Sequence, residues 1–256
     1  MWRIVHASAT GTSHIATNLP CQDVYCVETI QSKDSQDYLV CLVSDGAGSA
    51  KFGGEGAQLT CSVALSSIKR TLSETRLDSL IEVERWVKEI QHVIRETADT
   101  NGLGMREYAC TFLGAIIGYD DSLFFQIGDG AIVASSGYVQ GLVFCPDTGM
   151  YANMTYFITE EDALSHLQVT GTHAKIDEIA LFSDGIQNLA LSLEQYTPHI
   201  PFFEPMLHKI RMSSTEDCLM FNQLLEQFLN SASVNERTND DKTLILASRR
   251  FYDSIG

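Results

Sequence analysis

Three stretches of the sequence end an apolar run in the pair Asp-Gly: Val43-Ser44-Asp45-Gly46, Gln126-Ile127-Gly128-Asp129-Gly130 and Phe182-Ser183-Asp184-Gly185. A carboxylate at the end of a buried strand is held rigidly, and a glycine beside it lets backbone approach a ligand closely. Such carboxylates suit a hard cation, which takes oxygen ligands. Asp240-Asp241 stands immediately before a further apolar run, Thr243-Leu244-Ile245-Leu246-Ala247, and Asp23 precedes Val24-Tyr25-Cys26-Val27. Asp-Gly after a strand is also an ordinary turn, and turns account for any one of these places. Strand-edge acids converging in one sheet repel one another unless metal ions sit between them, so a shared metal site accounts for the set.

The elements that must position these acids follow from periodicity. Residues 2–8 read as a strand, followed by a polar loop over residues 9–22 that carries His14. Residues 24–29 and 38–44 read as a hairpin. Residues 55–72 and 80–98 carry apolar side chains at helical spacing, with Trp86 in the second stripe as a core residue. Residues 109–117, 122–126, 131–135 and 138–144 read as a meander, and residues 146–171 as an irregular surface excursion near the site. A short helix is expected over residues 186–193, after which Pro198, Pro201 and Pro205 interrupt the chain. Residues 215–230 form an amphipathic helix with Leu219, Leu224, Leu225 and Phe228 inward and Thr215-Glu216 as its cap. Residues 231–239 are then a polar loop delivering Asp240.

This order predicts an α+β fold of antiparallel sheets in a single domain over residues 1–256. A doubly wound parallel sheet is disfavoured, because residues 109–144 leave no room for crossover helices. With 45% hydrophobic and 20% charged residues, the chain can fill a sizeable core. Its net charge of −16 argues against a nucleic-acid or anionic-membrane surface, since both need basic patches. Seven cysteines without a Cys-x-x-Cys pair suggest neither a zinc site nor a disulfide framework. The start of the chain lacks the apolar stretch of a signal peptide, and no 18-residue apolar segment occurs. A cytoplasmic, reducing location is expected.

In the order Gln22-Asp23, Ser44-Asp45-Gly46, Gly128-Asp129-Gly130, Ser183-Asp184-Gly185 and Asp240-Asp241-Lys242-Thr243, the chain resembles the PP2C family of metal-dependent Ser/Thr phosphatases. Gly11-Thr12-Ser13-His14 and Pro20-Cys21-Gln22-Asp23 are similar to the N-terminal motif of its compact bacterial branch. The resemblance covers residues 6–248 or so and implies an α/β/β/α sandwich of two central antiparallel sheets flanked by helices. It also implies hydrolysis of phosphoserine and phosphothreonine on proteins by a metal-bridged water in a dinuclear Mn²⁺ or Mg²⁺ site. The substrates would be phosphoproteins, targets of a Ser/Thr kinase.

Carried over position by position, the resemblance makes Asp45 the carboxylate bridging both metals and the Gly46 carbonyl a ligand of one. Asp184 binds a metal directly, as does Asp240, or Asp241 in the alternative register. Asp23 acts through metal-bound water, and Asp129 resembles the carboxylate used by bacterial members for a third metal. Three positions depart from the pattern. Ala47 stands where many members carry a histidine, Gln22 replaces an acid, and Asn188 replaces the aspartate expected to serve the third metal. His14 occupies a loop where the family commonly has a phosphate-holding arginine. It could hold phosphate, act as the general acid, or simply bond to backbone; His6, on a strand, reads as structural. No Cys-x5-Arg phosphate loop is present, which leaves a cysteine mechanism without support. Two other readings compete: a pseudophosphatase that binds phosphoproteins or partners without turnover, and a phosphatase of small phosphorylated metabolites.

Overall fold

The hairpin read from residues 24–44 forms, and it founds one of two five-stranded antiparallel sheets in the computed structural model. The structure describes residues 1–74, 79–137, 139–144, 155–192, 194–195 and 197–250. In chain order the elements begin with β1 (Arg3–Ala9), α1 (Thr12–Thr17), β2 (Asp23–Gln31), β3 (Asp37–Asp45), α2 (Gly53–Glu74) and α3 (Ser79–Thr100). The strands β4 (Phe112–Ile117), β5 (Ser122–Ile127), β6 (Ala131–Ser136), β7 (Val139–Leu142), β8 (Gln168–Thr172) and β9 (Glu178–Phe182) follow. After them come α4 (Gln187–Ala190), β10 (Leu191–Ser192), β11 (Thr197–Pro198), α5 (Ile200–Arg211), α6 (Thr215–Leu229), α7 (Ala232–Asn235) and β12 (Lys242–Ser248).

The chain packs as two compact units. The first comprises Met1–Cys21, Ala131–Cys145 and Lys175–Gly256; the second comprises Gln22–Gly130 and Pro146–Ala174. The first unit's sheet runs β1-β12-β9-β6-β7, with α5 and α6 on one face. Val5, Ala180, Phe182, Leu244 and Leu246 point from its strands toward Phe203, Leu207, Cys218 and Leu225 of the helices. The second unit's sheet runs β2-β3-β4-β5-β8 and is covered by α2 and α3. Trp86 is fully buried there, edge-on to Phe125 and donating from its indole N–H to Thr71 Oγ1 at 3.2 Å.

Several local expectations are corrected. The meander does not continue: β4 and β5 stay in one sheet, whereas β6 and β7 belong to the other, so Gly128-Asp129-Gly130 is where the chain changes sheets. The excursion over residues 146–171 contributes an edge strand, β8, paired with β5, and returns Ile158 and Ala163 to the second core; residues 145–154 lie outside the described set. The polar loop holding His14 contains the short helix α1. Prolines do not break the chain after residue 198: Pro201 sits in the first turn of α5, where a missing N–H costs nothing, and the helix runs on through Pro205. Helix α6 is capped by Ser214 in a reciprocal box with Asp217, not by Thr215-Glu216. It buries Cys218, Leu225 and Leu229, while Leu219, Leu224 and Phe228 remain 69%, 56% and 38% exposed.

Six described cysteines are free thiols. Burial pushes Cys41 up, and Cys110 up to about 11. Cys26 on β2 behaves oppositely, because a hydrogen bond from the Cys61 thiol on α2 holds it down to about 7. A depressed thiol is thiolate, and so nucleophilic, above that pH. Iodoacetamide should therefore alkylate Cys26 first, with a rate that half-saturates near pH 7, as read by peptide mass spectrometry. Cys61→Ala should return the midpoint toward 9.0. A Cys26 midpoint unmoved by that substitution would exclude the thiol hydrogen bond as the cause.

Candidate active site and metal centre

In the second unit the site is built by the β2–β3 hairpin. Register sets Asp23 directly opposite Asp45 at its open end. Carboxylates directly opposite each other on a ladder are destabilising, and a cation between them reverses the sign. Backbone around Asp45 is pinned by Thr111, whose Oγ1 accepts the Asp45 N–H at 2.9 Å and whose own N–H donates to the Asp45 carbonyl at 2.9 Å. Ser44 Oγ donates to the Thr111 carbonyl at 2.6 Å. The next residue must be glycine: a Cβ on Gly46 would lie 2.3 Å from the backbone carbon of Gly53. Ala47 donates its N–H to the Ala109 carbonyl at 2.8 Å, and its methyl packs with Ala50 and Ala109. Where a histidine was looked for, there is a packed alanine.

Asp129 is half-buried on the loop after β5 and accepts a hydrogen bond from Thr155 Oγ1. Gln126 shapes that loop, its Nε2 donating to the carbonyls of Gly128 at 3.0 Å and Gly130 at 3.4 Å. Asn188, the expected counterpart of Asp129, is exposed in the first unit.

In the first unit three segments meet at one end of the sheet. The Ser183 N–H donates to the Thr243 carbonyl at 3.2 Å, and the Thr243 N–H donates to Ser183 Oγ at 3.0 Å, which stitches the exit of β9 to the entry of β12. Asp184 and Asp240-Asp241 are thereby held at the same edge. A Cβ on Gly185 would stand 1.9 Å from the Asp241 carbonyl oxygen, so the Asp-Gly pair is required here by close approach. The third segment is the start of α1. Asp241 Oδ1 accepts the Gly11 N–H at 2.6 Å, and Oδ2 lies 2.9 Å from His14 Nδ1. Ser13 adds hydrogen bonds from its N–H and Oγ to the Asn239 carbonyl. Beside them, buried Lys242 reaches Asn235 Oδ1 at 2.8 Å.

These contacts separate the two adjacent aspartates. Asp241 is 1% exposed with both oxygens engaged, whereas Asp240 is exposed and its Oδ1 caps the Asp241 N–H at 2.8 Å. His14 is buried and bonded to a carboxylate, which removes the backbone-bonded alternative. His6 is partly buried on β1, its N–H donating to Asn222 Oδ1 at 2.9 Å, and burial lowers its imidazole. Asp241 as partner of His14 was not legible in the sequence, since 227 residues separate them.

Among the described residues, no three carboxylate, histidine or cysteine side chains stand close enough together to hold an ion as placed. Each unit nonetheless offers donors of one kind, carboxylates and backbone carbonyls at glycine turns. That set fits Mg²⁺ or Mn²⁺ and does not fit a thiolate-bound metal. The opposed pair Asp23 and Asp45 supplies the electrostatic demand for one.

The model of the family described as Protein phosphatase 2C matches residues 10–230. The chain is 42% identical over 248 residues to Serine/threonine-protein phosphatase 3 of Escherichia coli (strain K12), covering 96% of this chain and 98% of that protein. Among solved structures it is similar to a bacterial serine phosphatase, with a TM-score of 0.62 at 15% identity over 98% of this chain and 99% of the other. The catalytic domain of the serine/threonine phosphatase PstP, in complex with two manganese ions, aligns with a TM-score of 0.59 at 12% identity over 96% and 97%. The chain belongs to the protein phosphatase 2C family. It is an enzyme of that type, and its two antiparallel sheets flanked by helices are the family's. No described helix is long and apolar enough to cross a membrane.

Proposed function

We propose that the chain releases inorganic phosphate from phosphoserine and phosphothreonine in proteins phosphorylated by a Ser/Thr kinase, with residues 1–256 working as one catalytic domain. The observation that carries this reading is the cross-strand pairing of Asp23 with Asp45 beside a glycine that admits no side chain. Two Mn²⁺ or Mg²⁺ ions would be held by Asp45, the Gly46 carbonyl, Asp184 and Asp240, with Asp23 acting through water. The two manganese ions of the PstP domain are the precedent for that number. Such ions supply an acidified water as nucleophile and neutralise charge on the phosphoryl oxygens. Asp240 is preferred to Asp241 because Asp241 is already spent on Gly11 and His14. Asp129 stays outside the pair, since its expected partner is the neutral, exposed Asn188.

The chain's own residues do the rest. As an imidazolium, with Nδ1–H donated to Asp241, His14 would present Nε2–H to the substrate, either holding a phosphoryl oxygen or passing that proton to the departing serine oxygen. Ala47 has no proton to give. If His14 is the acid, His14→Ala should slow phosphopeptide hydrolysis by about 10²–10⁴-fold. Aryl phosphates, whose leaving groups need little protonation, should be slowed far less. If His14 only holds phosphate, both substrates should suffer alike, chiefly in KM. Equal, normal rates on both would remove it from the mechanism.

The experiment that tests the reading is metal removal. Turnover of p-nitrophenyl phosphate and of phosphopeptides should vanish in chelator and return with Mn²⁺ or Mg²⁺. Ca²⁺ should raise the melting temperature yet restore little turnover, because its looser coordination activates water poorly. Full activity after metal stripping refutes the scheme. A metal-dependent melting shift with no turnover on any substrate would favour the pseudophosphatase.

A further inference from the structure

Two thiols with unlike surroundings meet in the second unit. Cys26 lies on β2, the edge strand of its sheet, and is half-buried against the second core. Cys61 lies beneath it on α2 and is fully buried. Its Sγ stands 3.6 Å from the Val24 carbonyl oxygen of β2 and within hydrogen-bond reach of the Cys26 sulfur. Strand alternation keeps the pair together: Val24 and Cys26 share the face toward α2, and Leu42, opposite Cys26 in register, joins the same core.

The other described cysteines are placed differently. Cys41 alternates with Val40 and Leu42 along β3, so it faces away from α2. Cys110 is fully buried, 3.2 Å from Thr60 Oγ1, while Cys21 and Cys218 belong to the first unit. Further along β2, Glu28 pairs with Lys69 of α2 at 2.7 Å, which sets an exposed ammonium at the rim of the Cys26–Cys61 contact. That cation and the Cys61 hydrogen bond both favour the Cys26 thiolate. A thiolate open to small solutes, with a protonated thiol in contact behind it, is the arrangement of an attacking and a resolving cysteine.

We propose that Cys26 and Cys61 are a site of reversible oxidation, closing a disulfide between β2 and α2 when the protein meets a hydroperoxide. The Cys26 sulfur attacks one peroxide oxygen, the O–O bond breaks, hydroxide leaves, and Cys26 becomes a sulfenic acid. The Cys61 sulfur then attacks the Cys26 sulfur, the S–O bond breaks, and the hydroxyl departs with the Cys61 proton as water. The pair of sulfurs loses two electrons, and the peroxide is reduced by two to hydroxide and water. The site does not depend on the residues assigned to phosphate hydrolysis.

The test is peptide mass spectrometry of the reduced full chain after equimolar hydrogen peroxide near neutral pH, with remaining thiols blocked by N-ethylmaleimide. A crosslinked peptide joining the Cys26 and Cys61 segments is expected ahead of oxidation at any other described cysteine, and dithiothreitol should remove it. Cys61→Ala should abolish the crosslink and leave a Cys26 sulfenic acid, captured as its dimedone adduct. That adduct should form more slowly than the parent's crosslink, because the hydrogen bond favouring the thiolate is gone. Cys26→Ser, at a half-buried edge position, should abolish both crosslink and adduct. The proposal is overturned if peroxide leaves Cys26 unmodified, or if the parent runs to the Cys26 sulfinic acid without a crosslink. A crosslink that joins two chains, or joins Cys26 to a different cysteine, overturns it as well.

Discussion

Asp45→Asn is expected to lower phosphopeptide turnover by on the order of 10³-fold or more, while the metal-stripped variant melts no lower than the parent. The first half follows from the several kcal/mol that metal clamping contributes to phosphoryl transfer, at about tenfold per 1.4 kcal/mol. The second follows from register. Asp23 and Asp45 face each other across the β2–β3 ladder, and like charges placed so cost up to about 1 kcal/mol. Removing one charge relieves that repulsion, and Asn keeps the shape pinned by Thr111. The parent should gain melting temperature on adding Mn²⁺, whereas the variant should gain much less. Kinetic assay and thermal unfolding, each with and without metal, give the four numbers required. A variant that is folded, metal-responsive and active would take Asp45 out of the centre.

The largest effect on stability is expected at Glu178, far from that chemistry. Its carboxylate is 2% exposed and takes a bidentate pair from Arg211, Nε to Oε1 at 2.7 Å and Nη2 to Oε2 at 2.8 Å. Ser248 Oγ donates at 2.9 Å, and Arg250 Nη1 lies 3.4 Å away. The Arg3 guanidinium bonds the Arg211 carbonyl at 2.8 Å, so β1, β9, β12 and the end of α5 all converge on one buried acid. Removing the buried partner of an ion pair costs up to about 3–5 kcal/mol, and here it leaves Arg211 with the half-exposed Glu204. Glu178→Ala should accordingly lower the melting temperature by roughly 10 °C. Glu204→Ala removes a second, half-exposed carboxylate from the same arginine and should cost under about 1 kcal/mol. Equal losses at the two positions would show that burial is not what makes Glu178 matter.

Much of the second unit was legible in advance. Asp23 and Asp45 bound apolar runs of opposite direction, and the stripes of α2 and α3 have one apolar face each, so periodicity was sufficient there. It failed where two answers shared one period. Helix α6 carries an apolar stripe through Cys218, Leu225 and Leu229 and another through Met220, Leu224 and Phe228; only the sheet beneath selects the first. Sheet membership failed for a similar reason, because the residues of β6 state that it is a strand but not which strand it joins. Helix α5 was missed because Pro205 is a strong local signal, overridden here by burial of Phe203, Leu207 and Ile210. The acids of the candidate site were each found from their strand ends. What tells Asp240 from Asp241 is His14, and a contact across 227 residues leaves no trace in spacing.

The position of β12 also bears on the order in which the protein can be made. Its neighbours are β1 and β9, and among the described residues β1 pairs with no other strand. A ribosome therefore releases residues 3–9 more than two hundred positions before the strand they pair with, residues 242–248. Throughout that interval β1 has unpaired backbone and an apolar face, a state in which a chain is open to misassociation. The second unit has no such wait, because β2, β3, β4 and β5 pair in succession within residues 23–127. Synthesis should thus yield a folded hairpin sheet early, and the pairing of β1 only once residue 248 has cleared the exit tunnel.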